Sequence, residues 1–242
     1  MQAIEIKGLS KRYKDVVAVD ELTLSVNEGE LVSLLGVNGA GKTTTIKMLC
    51  GLTAPSGGDA LLLGKSVIKD ASAIKSFIAV SPQETAVAPG LSVRENLELI
   101  CGVYGFSKAK REQKIAELVS LLDLKGVISK KAGKLSGGWQ RRLSIAMALI
   151  SEPKILFLDE PTLGLDVIVR SELWDIIRAL KGEVTIILTT HYMEEAESLS
   201  DRIAVMRDGK LLVYDTADAI KKMTGKNTFE QAFISVVKEA SV

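Results

Sequence analysis

The sequence predicts an α/β fold, and three observations support this prediction. Short apolar runs typical of buried β-strands alternate with longer segments whose apolar residues recur at helical spacing. Near the start of the chain, apolar and polar residues alternate, as they do in half-buried antiparallel strands. A glycine-rich stretch separates one apolar run from the helical segment that follows it, which is a recurring junction in α/β folds.

The N-terminal part of the chain is predicted to form strands on both sides of this glycine-rich stretch. Two alternating segments predict an antiparallel pair, with Tyr13 in a basic, polar turn between them. The apolar run before the glycines predicts a fully buried strand. We predict strands at residues 3–8, 21–27, 31–35, 59–63 and 77–80, and a helix at residues 44–50.

The middle of the chain, from Thr85 to Ile150, has the pattern of a helical subdomain inserted into the α/β core. Ser92 and Glu95 have the spacing of a capping box ahead of an apolar run. Residues 107–122 repeat apolar side chains on one face, with lysines and glutamates on the other. A further amphipathic helix is predicted at residues 140–150.

The α/β pattern returns after residue 150. The dipeptide Asp208-Gly209 lies between two apolar runs and predicts a β-hairpin turn. The tail, residues 216–242, is amphipathic and predicts helix. We predict strands at residues 154–158, 184–190, 202–206 and 210–214, and a helix at residues 168–180.

Composition limits the possible functions. The chain has 242 residues, 47% of them hydrophobic, and a net charge of +1, which argues against nucleic acid as a partner. Cys50 and Cys101 have no C-x-x-C companion, so we expect buried thiols in a reducing compartment. The N-terminus does not resemble a signal peptide, and no stretch approaches the ~20 apolar residues of a membrane span. We expect a cytoplasmic chain that reaches a membrane only through a partner.

The glycine-rich stretch fits the phosphate-loop pattern G-x-x-x-x-G-K-[ST] at every fixed position. Glycines let successive backbone N–H groups point at phosphate oxygens, lysine adds a point charge, and threonine can ligate Mg²⁺. A turn beside a chance lysine is the alternative, but a strand precedes the loop and a helix follows it. We therefore predict that the chain binds a nucleoside triphosphate and Mg²⁺ through Gly36, Val37, Asn38, Gly39, Ala40, Gly41, Lys42, Thr43 and Thr44.

Four other positions carry residue types that suit triphosphate hydrolysis. Asp159 and Glu160 follow a buried strand, where they could hold Mg²⁺ and polarise the attacking water, although such acids often merely end a strand. Gln83 could ligate Mg²⁺ and orient water. His191 follows a threonine-rich strand and could contact the γ-phosphate, whereas a lone histidine is more often structural. An aromatic such as Tyr13 could stack on a purine, whereas an aromatic considered alone is more often an ordinary strand-end residue.

With these residues, the sequence resembles the ATP-binding cassette (ABC) ATPases over nearly its whole length. The Leu-Ser-Gly-Gly signature, between Gln83 and the two acids, is the specific element, because a phosphate loop alone also suits kinases, GTPases and helicases. The family's elements occur in order as aromatic Tyr13, Walker A 36–43, Gln83 of the Q-loop, signature Leu135-Ser136-Gly137-Gly138, Walker B through Asp159, catalytic Glu160, Asp166 of the D-loop and His191 of the switch.

This resemblance implies a P-loop NTPase (RecA-like) core with an N-terminal antiparallel β-subdomain and an inserted α-helical subdomain. The whole chain would be one nucleotide-binding domain. Its expected parts are the core with its β-subdomain at about 1–84 and 151–215, the helical subdomain at about 85–150, and the tail at about 216–242. Two positions depart from the family pattern: Trp139 stands where glutamine is common, and Val167 where proline often follows the D-loop aspartate.

The resemblance also implies a mechanism. The inserted subdomain would separate Ser136, Gly137 and Gly138 from the phosphate loop of the same chain, so each signature would close over the ATP of a second chain. The expected assembly is an ATP-dependent homodimer, or a heterodimer with a second ABC subunit, on the cytoplasmic face of the cell membrane. An integral-membrane transporter subunit would dock its cytoplasmic helix at residues 84–90 and the adjoining helical subdomain.

Two short segments indicate the kind of ABC protein. The segments 207–210 and 228–233 are similar to ABC-2-type exporter ATPases, the drug-resistance and sodium-efflux group. The alternative is a non-transport ABC ATPase acting as a mechanical or regulatory module. Such modules need a long coiled coil or two cassettes in one chain, and neither pattern occurs in this sequence. A nucleotide-binding scaffold without activity is disfavoured by Glu160 and His191.

Overall fold

The computed structural model describes residues 1–240, which divide into two compact units. The first unit combines residues 1–75 with the chain from Lys181 onward, and the second comprises residues 76–180. The helical insertion expected at 85–150 lies within the second unit, and the expected boundaries of the subdomains remain a prediction. The last two residues of the expected tail, 241–242, lie outside the described residues.

The elements are numbered in chain order. Before residue 76 they are β1 (Gln2–Tyr13), β2 (Val16–Asn27), β3 (Leu31–Leu35), α1 (Lys42–Leu49), β4 (Gly57–Leu62), β5 (Lys65–Ser66) and α2 (Ala71–Ile74). The second unit contains β6 (Ile78–Ser81), α3 (Val93–Val103), α4 (Lys108–Leu121), α5 (Gly137–Leu149), β7 (Ile155–Asp159) and α6 (Val167–Leu180), with short 3-10 helices at Lys125–Val127 and Ala132–Lys134. The remaining elements are β8 (Thr185–Thr190), α7 (Met193–Leu199), β9 (Arg202–Arg207), β10 (Lys210–Asp215), α8 (Ala217–Thr224) and α9 (Phe229–Glu239).

One sheet of the first unit is antiparallel, with strand order β2-β1-β4-β5. β1 and β2 form the predicted antiparallel pair, and alternate residues such as Ile4 and Ile6 are buried. Both strands are longer than predicted, because the turn between them takes only two residues and Lys14 adopts a positive φ of 50°. Tyr13 is therefore the last residue of β1, and the expectation that it lies in the turn was wrong.

The other sheet of this unit has the strand order β10-β9-β3-β8, in which β3 runs parallel to both of its neighbours. All five residues of β3 are buried, as expected for a parallel strand within a sheet. β9 and β10 form the predicted hairpin. Its turn places Asp208 at φ 48° and Gly209 at φ 80°, the two positive values that a type I′ turn requires.

The C-terminal tail forms two helices that pack on the first unit. Gly225, in the left-handed conformation, ends α8, because glycine adopts positive φ without steric cost. Phe229 and Val236 of α9 join a buried cluster that includes Leu35 and Ile203. Complete burial of a phenylalanine is worth about 1.5–3 kcal/mol, so α9 contributes substantially to this core.

The second unit combines the parallel pair β6–β7 with helices. Every residue of β7 is buried. Ser92 and Glu95 make both hydrogen bonds of the predicted capping box at the start of α3. α5 begins at Gly137, earlier than predicted from the apolar pattern. Its Ser144 hydroxyl lies 2.9 Å from that of Ser81 in β6.

The two cysteines are buried, as predicted. Burial raises the pKa of the Cys101 thiol, which disfavours the reactive thiolate. No helix within residues 1–240 combines the length and apolar character needed to cross a membrane.

Candidate nucleotide-binding site

The glycine-rich loop connects the end of β3 to the start of α1. The Gly36 amide donates to the Thr190 carbonyl oxygen of β8 at 3.3 Å, which extends the sheet into the first residue of the loop. Gly41 has a φ of 99° and precedes the first residue of α1, Lys42. The loop therefore leads into the N-terminus of a helix, where unpaired N–H groups favour an anion.

Two of the three loop glycines are required by close packing. A Cβ on Gly36 would collide with the Met206 carbonyl oxygen, and one on Gly41 would collide with the Ala18 carbonyl oxygen. Gly39 has a φ of 86°, and no atom lies within 4 Å of the position its Cβ would take. The loop is thus closely packed at Gly36 and Gly41 and open at Gly39.

Lys42 brings a positive charge to the loop. Its side chain is only 5% exposed, and its Nζ donates to the carbonyl oxygens of Gly36 at 2.7 Å and Val37 at 3.2 Å. The backbone amides of Asn38 and Gly39 donate no hydrogen bond within residues 1–240. An ammonium group and unpaired amides in one short loop form a set of donors suited to phosphate oxygens.

The other site residues predicted in the first unit lie at strand ends. Leu35 pairs with Thr190, so His191 leaves β8 beside the point where the loop leaves β3. The His191 ring lies 4.1 Å from the Tyr192 ring, centroid to centroid. Tyr13, at the end of β1, is 44% exposed, and the Lys11 ammonium lies 5.0 Å from its ring centroid. Thr43 and Thr44 lie in the first turn of α1.

In the second unit, the structure brings three predicted residues to one sheet edge. Ser81 of β6 pairs with Leu158 of β7 in a parallel register. Gln83 follows β6 by two residues and is exposed, while Asp159 ends β7 and Glu160 follows it, both buried. The chain segments that carry this amide and these two carboxylates therefore leave neighbouring strands in the same direction.

Glu160 has a strained backbone. Its φ is 47°, a conformation that costs a residue with a side chain on the order of 1–3 kcal/mol and persists only where neighbours impose it. Pro161 and Thr162, which follow, are buried, and the Leu163 amide donates to the Glu160 carbonyl oxygen at 3.2 Å. This strain lies at one of the two acids singled out from the sequence.

The signature residues begin α5. Ser136 is the N-cap residue, yet its hydroxyl makes no capping hydrogen bond. Gly137 and Gly138 are the first two residues of the helix, and a Cβ on Gly138 would collide with Val169 of α6. The second glycine is therefore also needed for the close approach of two helices.

The D-loop aspartate has a local structural role. The Oδ1 atom of Asp166 accepts hydrogen bonds from the amides of Ile168 at 3.0 Å and Val169 at 3.1 Å. The carboxylate thus caps α6, and α6 packs against the start of α5 at Gly138. The signature and the D-loop therefore lie side by side in the second unit.

Trp139, the departure from the family signature, packs on Arg142. The Arg142 guanidinium lies 4.8 Å from the Trp139 ring centroid and forms ion pairs with Glu172 at 2.5 Å and Asp123 at 3.4 Å. The indole therefore has a structural partner of its own, through a cation–π contact.

Two groups of hydrogen bonds near the site could not be predicted from the sequence. The Gly209 amide donates to the Ala40 carbonyl oxygen at 3.3 Å, so the β9–β10 turn supports the phosphate loop. Arg141 of α5 donates to the carbonyl oxygens of Pro82 and Gln83. The turn at Asp208-Gly209 was predicted, but its contact with Ala40 was not. The hydrogen bonds of Arg141 were not predictable either, because their acceptors are main-chain carbonyl oxygens, which every residue carries.

Comparison with known proteins identifies relatives of this chain. A family model described as "ABC transporter" matches residues 19–163. The chain is 39% identical to the "Probable multidrug ABC transporter ATP-binding protein YbhF" of Escherichia coli K12, over 98% of this chain and 42% of that protein. It is 41% identical to the "Daunorubicin/doxorubicin resistance ATP-binding protein DrrA" of Streptomyces peucetius, over 93% of this chain and 69% of that protein. The chain thus spans less than half of YbhF.

Solved structures agree with the fold class predicted from the sequence. A structure described as the ATP-binding subunit of an ABC transporter superimposes with a TM-score of 0.86 at 28% identity, covering 97% of this chain and 99% of that one. A dimeric ATP-binding cassette in a post-hydrolysis state, bound to ADP and Pi, superimposes with a TM-score of 0.79 at 26% identity, covering 88% of this chain and 98% of that one. The prediction of an α/β, P-loop NTPase fold is confirmed.

Proposed function

This chain belongs to the ABC transporter family, as one of its ATP-binding ATPase domains, and we propose that it hydrolyses ATP to power transport through a separate integral-membrane subunit. The phosphate loop is the observation that carries the proposal. Gly36 and Gly41 hold a closely packed backbone, the Lys42 ammonium is buried among the loop carbonyls, and the amides of Asn38 and Gly39 can donate to phosphate oxygens.

The residues of the first unit would bind the nucleotide. Lys42 and the loop amides would hold the β- and γ-phosphates, and Tyr13 would stack on the adenine. His191 would donate a hydrogen bond to the γ-phosphate. Its exit from β8 beside the loop supports this role.

Mg²⁺ fits the donor set of these residues. The Thr43 hydroxyl, the Gln83 amide oxygen and the Asp159 carboxylate are hard oxygen ligands, and Mg²⁺ in triphosphate sites takes few protein ligands besides phosphate oxygens and water. When bound, the ion would neutralise charge on the β- and γ-phosphates.

Glu160 would polarise the attacking water, and Gln83 would help to orient it. Gln83, Asp159 and Glu160 follow the ends of two neighbouring parallel strands, which supports a shared role in hydrolysis. Glu160 is buried, and the neighbouring contacts that impose its strained backbone conformation would favour a preorganised base.

The signature and the D-loop would act on a second chain. Ser136, Gly137 and Gly138 would bind the γ-phosphate of ATP held by that chain, and Asp166 would lie at the same seam. The start of α5 is a suitable anion site, since the Ser136 hydroxyl makes no capping bond there. The dimeric relative supports an arrangement of two chains. Either a homodimer or a heterodimer with a second ABC subunit would provide the second chain.

We propose export as the direction of transport, because the relatives include proteins named for multidrug transport and for drug resistance. The membrane subunit would dock at residues 84–90 and the adjoining helices, which would place the chain at the cytoplasmic face of the membrane. The exposed apolar residues Leu99 and Val103 of α3 support a protein contact in this unit.

Replacement of Lys42 tests the proposed function. Lys42→Ala removes the charge that would hold the phosphates, so we expect ATP affinity to fall at least tenfold and turnover to be lost. Lys47→Ala is the matched control, since Lys47 lies exposed in the same helix. Titration with Mg-ATP and an assay of phosphate release measure both quantities. Equal affinity in the wild type and in Lys42→Ala would show that the loop is not the site.

A further inference from the structure

Arg141 connects the signature helix to the Q-loop within the second unit. Its Nη1 donates to the Pro82 carbonyl oxygen at 2.6 Å and its Nη2 to the Gln83 carbonyl oxygen at 2.5 Å. The side chain is only 5% exposed, although it lies in the second turn of α5, close to Ser136. A buried guanidinium thus holds the main chain of two successive residues.

Arginine suits this contact better than any other side chain. Its planar fork presents parallel N–H groups that can reach two neighbouring acceptors, whereas lysine offers one compact ammonium. Hydrogen bonds from a charged donor are about twice as strong as neutral ones, and burial shields these two from water. The contact therefore fixes the backbone of Gln83, while the Gln83 residue itself remains exposed.

Two other side chains of α5, Gln140 and Ser144, contact residues 81–85, the segment around Gln83. The Ser144 and Ser81 hydroxyls lie 2.9 Å apart, and the Thr85 hydroxyl donates to Gln140 Oε1 at 3.4 Å. Contacts at both ends of residues 81–85 and at its centre therefore attach this segment to α5. Arg141 provides the central contact, at Gln83.

The neighbouring arginine has a different role, which makes it a useful comparison. Arg142 pairs with Glu172 and Asp123 and stacks on Trp139, none of which belongs to the Q-loop. The two arginines share the same helix and are buried to the same extent. A change from arginine to lysine is therefore chemically matched at the two positions.

We propose that Arg141 is a positioning residue that transmits the position of the signature helix to Gln83. This inference rests on the proposed function, in which the signature binds the ATP of a second chain and Gln83 serves the ATP of its own chain. A shift of α5 on binding one ATP moves the Gln83 backbone through Arg141. Each chain then carries a direct mechanical link between its two nucleotide contacts.

Arg141→Lys tests the link against Arg142→Lys as control. We expect turnover to fall about tenfold in Arg141→Lys with ATP affinity close to wild type, because lysine cannot hold both carbonyl oxygens and Gln83 shifts, while any fall in melting temperature should be similar in the equally buried Arg142→Lys. Arg142→Lys should retain wild-type turnover. Gln83→Ala combined with Arg141→Lys should be no slower than Gln83→Ala alone, since Arg141 acts through Gln83.

Amide hydrogen exchange of residues 83–88, which contain no proline, gives a measurement independent of activity. Exchange there should be faster in Arg141→Lys than in Arg142→Lys, because the segment has lost its central contact. If Arg141→Lys unfolds, Arg141→Met, which keeps the bulk without the donors, takes its place. Unchanged exchange, or turnover losses that multiply in the double variant, would overturn the proposal. A wild type that binds no ATP would instead overturn the proposed function, while the exchange measurement would still show whether Arg141 holds the segment.

Discussion

His191 has two competing explanations at the scale of the single residue. The structural one is packing, because its ring lies against Tyr192 with the centroids 4.1 Å apart. The functional one is a hydrogen bond to the γ-phosphate, supported by the exit of His191 from β8 beside the phosphate loop. The two explanations differ in whether the imidazole donor or only the ring is needed.

Replacement of His191 by alanine should lower the turnover rate far more than it weakens ATP binding. A donor that acts mainly on developing charge in the transition state contributes to the rate rather than to the affinity. Loss of one such donor typically costs about 10²–10³ in rate. Turnover, ATP affinity and melting temperature are measured on the same preparation.

His191→Phe separates the two explanations, because it keeps a ring against Tyr192 but removes the donor. We expect its turnover to be as low as that of His191→Ala, with a melting temperature closer to wild type. If His191→Phe turned over ATP at the wild-type rate, the imidazole would have no catalytic role and packing would be its function.

At the scale of elements, the β9–β10 hairpin supports the phosphate loop. The Gly209 amide donates to the Ala40 carbonyl oxygen, and its own carbonyl oxygen accepts from the Asp20 amide at 2.9 Å. A Cβ on Gly209 would approach the Ala18 carbonyl oxygen to 3.0 Å. The turn therefore lies between β2 and the loop, and only glycine fits there without displacement.

Gly209→Ala should weaken ATP binding, because the added methyl group pushes the turn away from Ala18 and disturbs the loop at Ala40. The substitution also destabilises the fold by about 1–2 kcal/mol, since alanine adopts the positive φ of this position at a cost. Titration with ATP and thermal unfolding measure the two effects separately.

Gly64→Ala is the control for backbone strain. Gly64 has a φ of 76°, close to that of Gly209, but no atom lies within 4 Å of its Cβ position. This variant should lose stability from strain and keep wild-type ATP affinity. Equal affinities for Gly64→Ala and Gly209→Ala would contradict a supporting role of the hairpin.

The elements differ in how well the sequence predicted them. β3 and β7 are continuous apolar runs, and Ser92 and Glu95 carry a local capping signal, so each was predictable from neighbouring residues. α7 was not predicted. It has seven residues, its N-cap Tyr192 makes no side-chain capping bond, and its buried Glu195 breaks the apolar pattern.

The site shows the same division between local and distant information. The phosphate loop and the signature are continuous motifs, so their residues could be named from the sequence. The contacts that support them join distant positions: Arg141 reaches Gln83 across 58 residues, and Gly209 reaches Ala40. Their acceptors are main-chain carbonyl groups, which every residue possesses, so no sequence pattern reveals them.

At the scale of the whole molecule, the surface around the signature is suited to a second chain. Ser136 is exposed at the start of α5, and Val167 and Ile168 are largely exposed at the start of the adjoining α6. Substitutions of Gly138 or Asp166 would be ambiguous tests, because these residues also pack or cap a helix. Ser136 makes no capping bond, so its replacement tests binding more cleanly.

Glu160→Gln should trap the proposed dimer. The amide cannot act as a base, so ATP should bind without turnover and its γ-phosphate should remain between the two chains. We expect this variant to be monomeric without nucleotide and dimeric with ATP, as measured by light scattering. ADP should not support the dimer, because it lacks the phosphate that the signature would bind.

Adding Ser136→Arg to Glu160→Gln should abolish this dimer, because the large side chain would block the approach of the partner's phosphate. ATP binding by the single chain should persist, since Ser136 would not contact the nucleotide of its own chain. Ser129→Arg in the same background is the control. Ser129 is exposed in the same unit outside the signature, so this variant should still form the dimer.

A dimer that forms without ATP and is unaffected by Ser136→Arg would refute the shared-nucleotide arrangement. A dimer lost equally with Ser129→Arg would show that the added charge, rather than the signature, controls association.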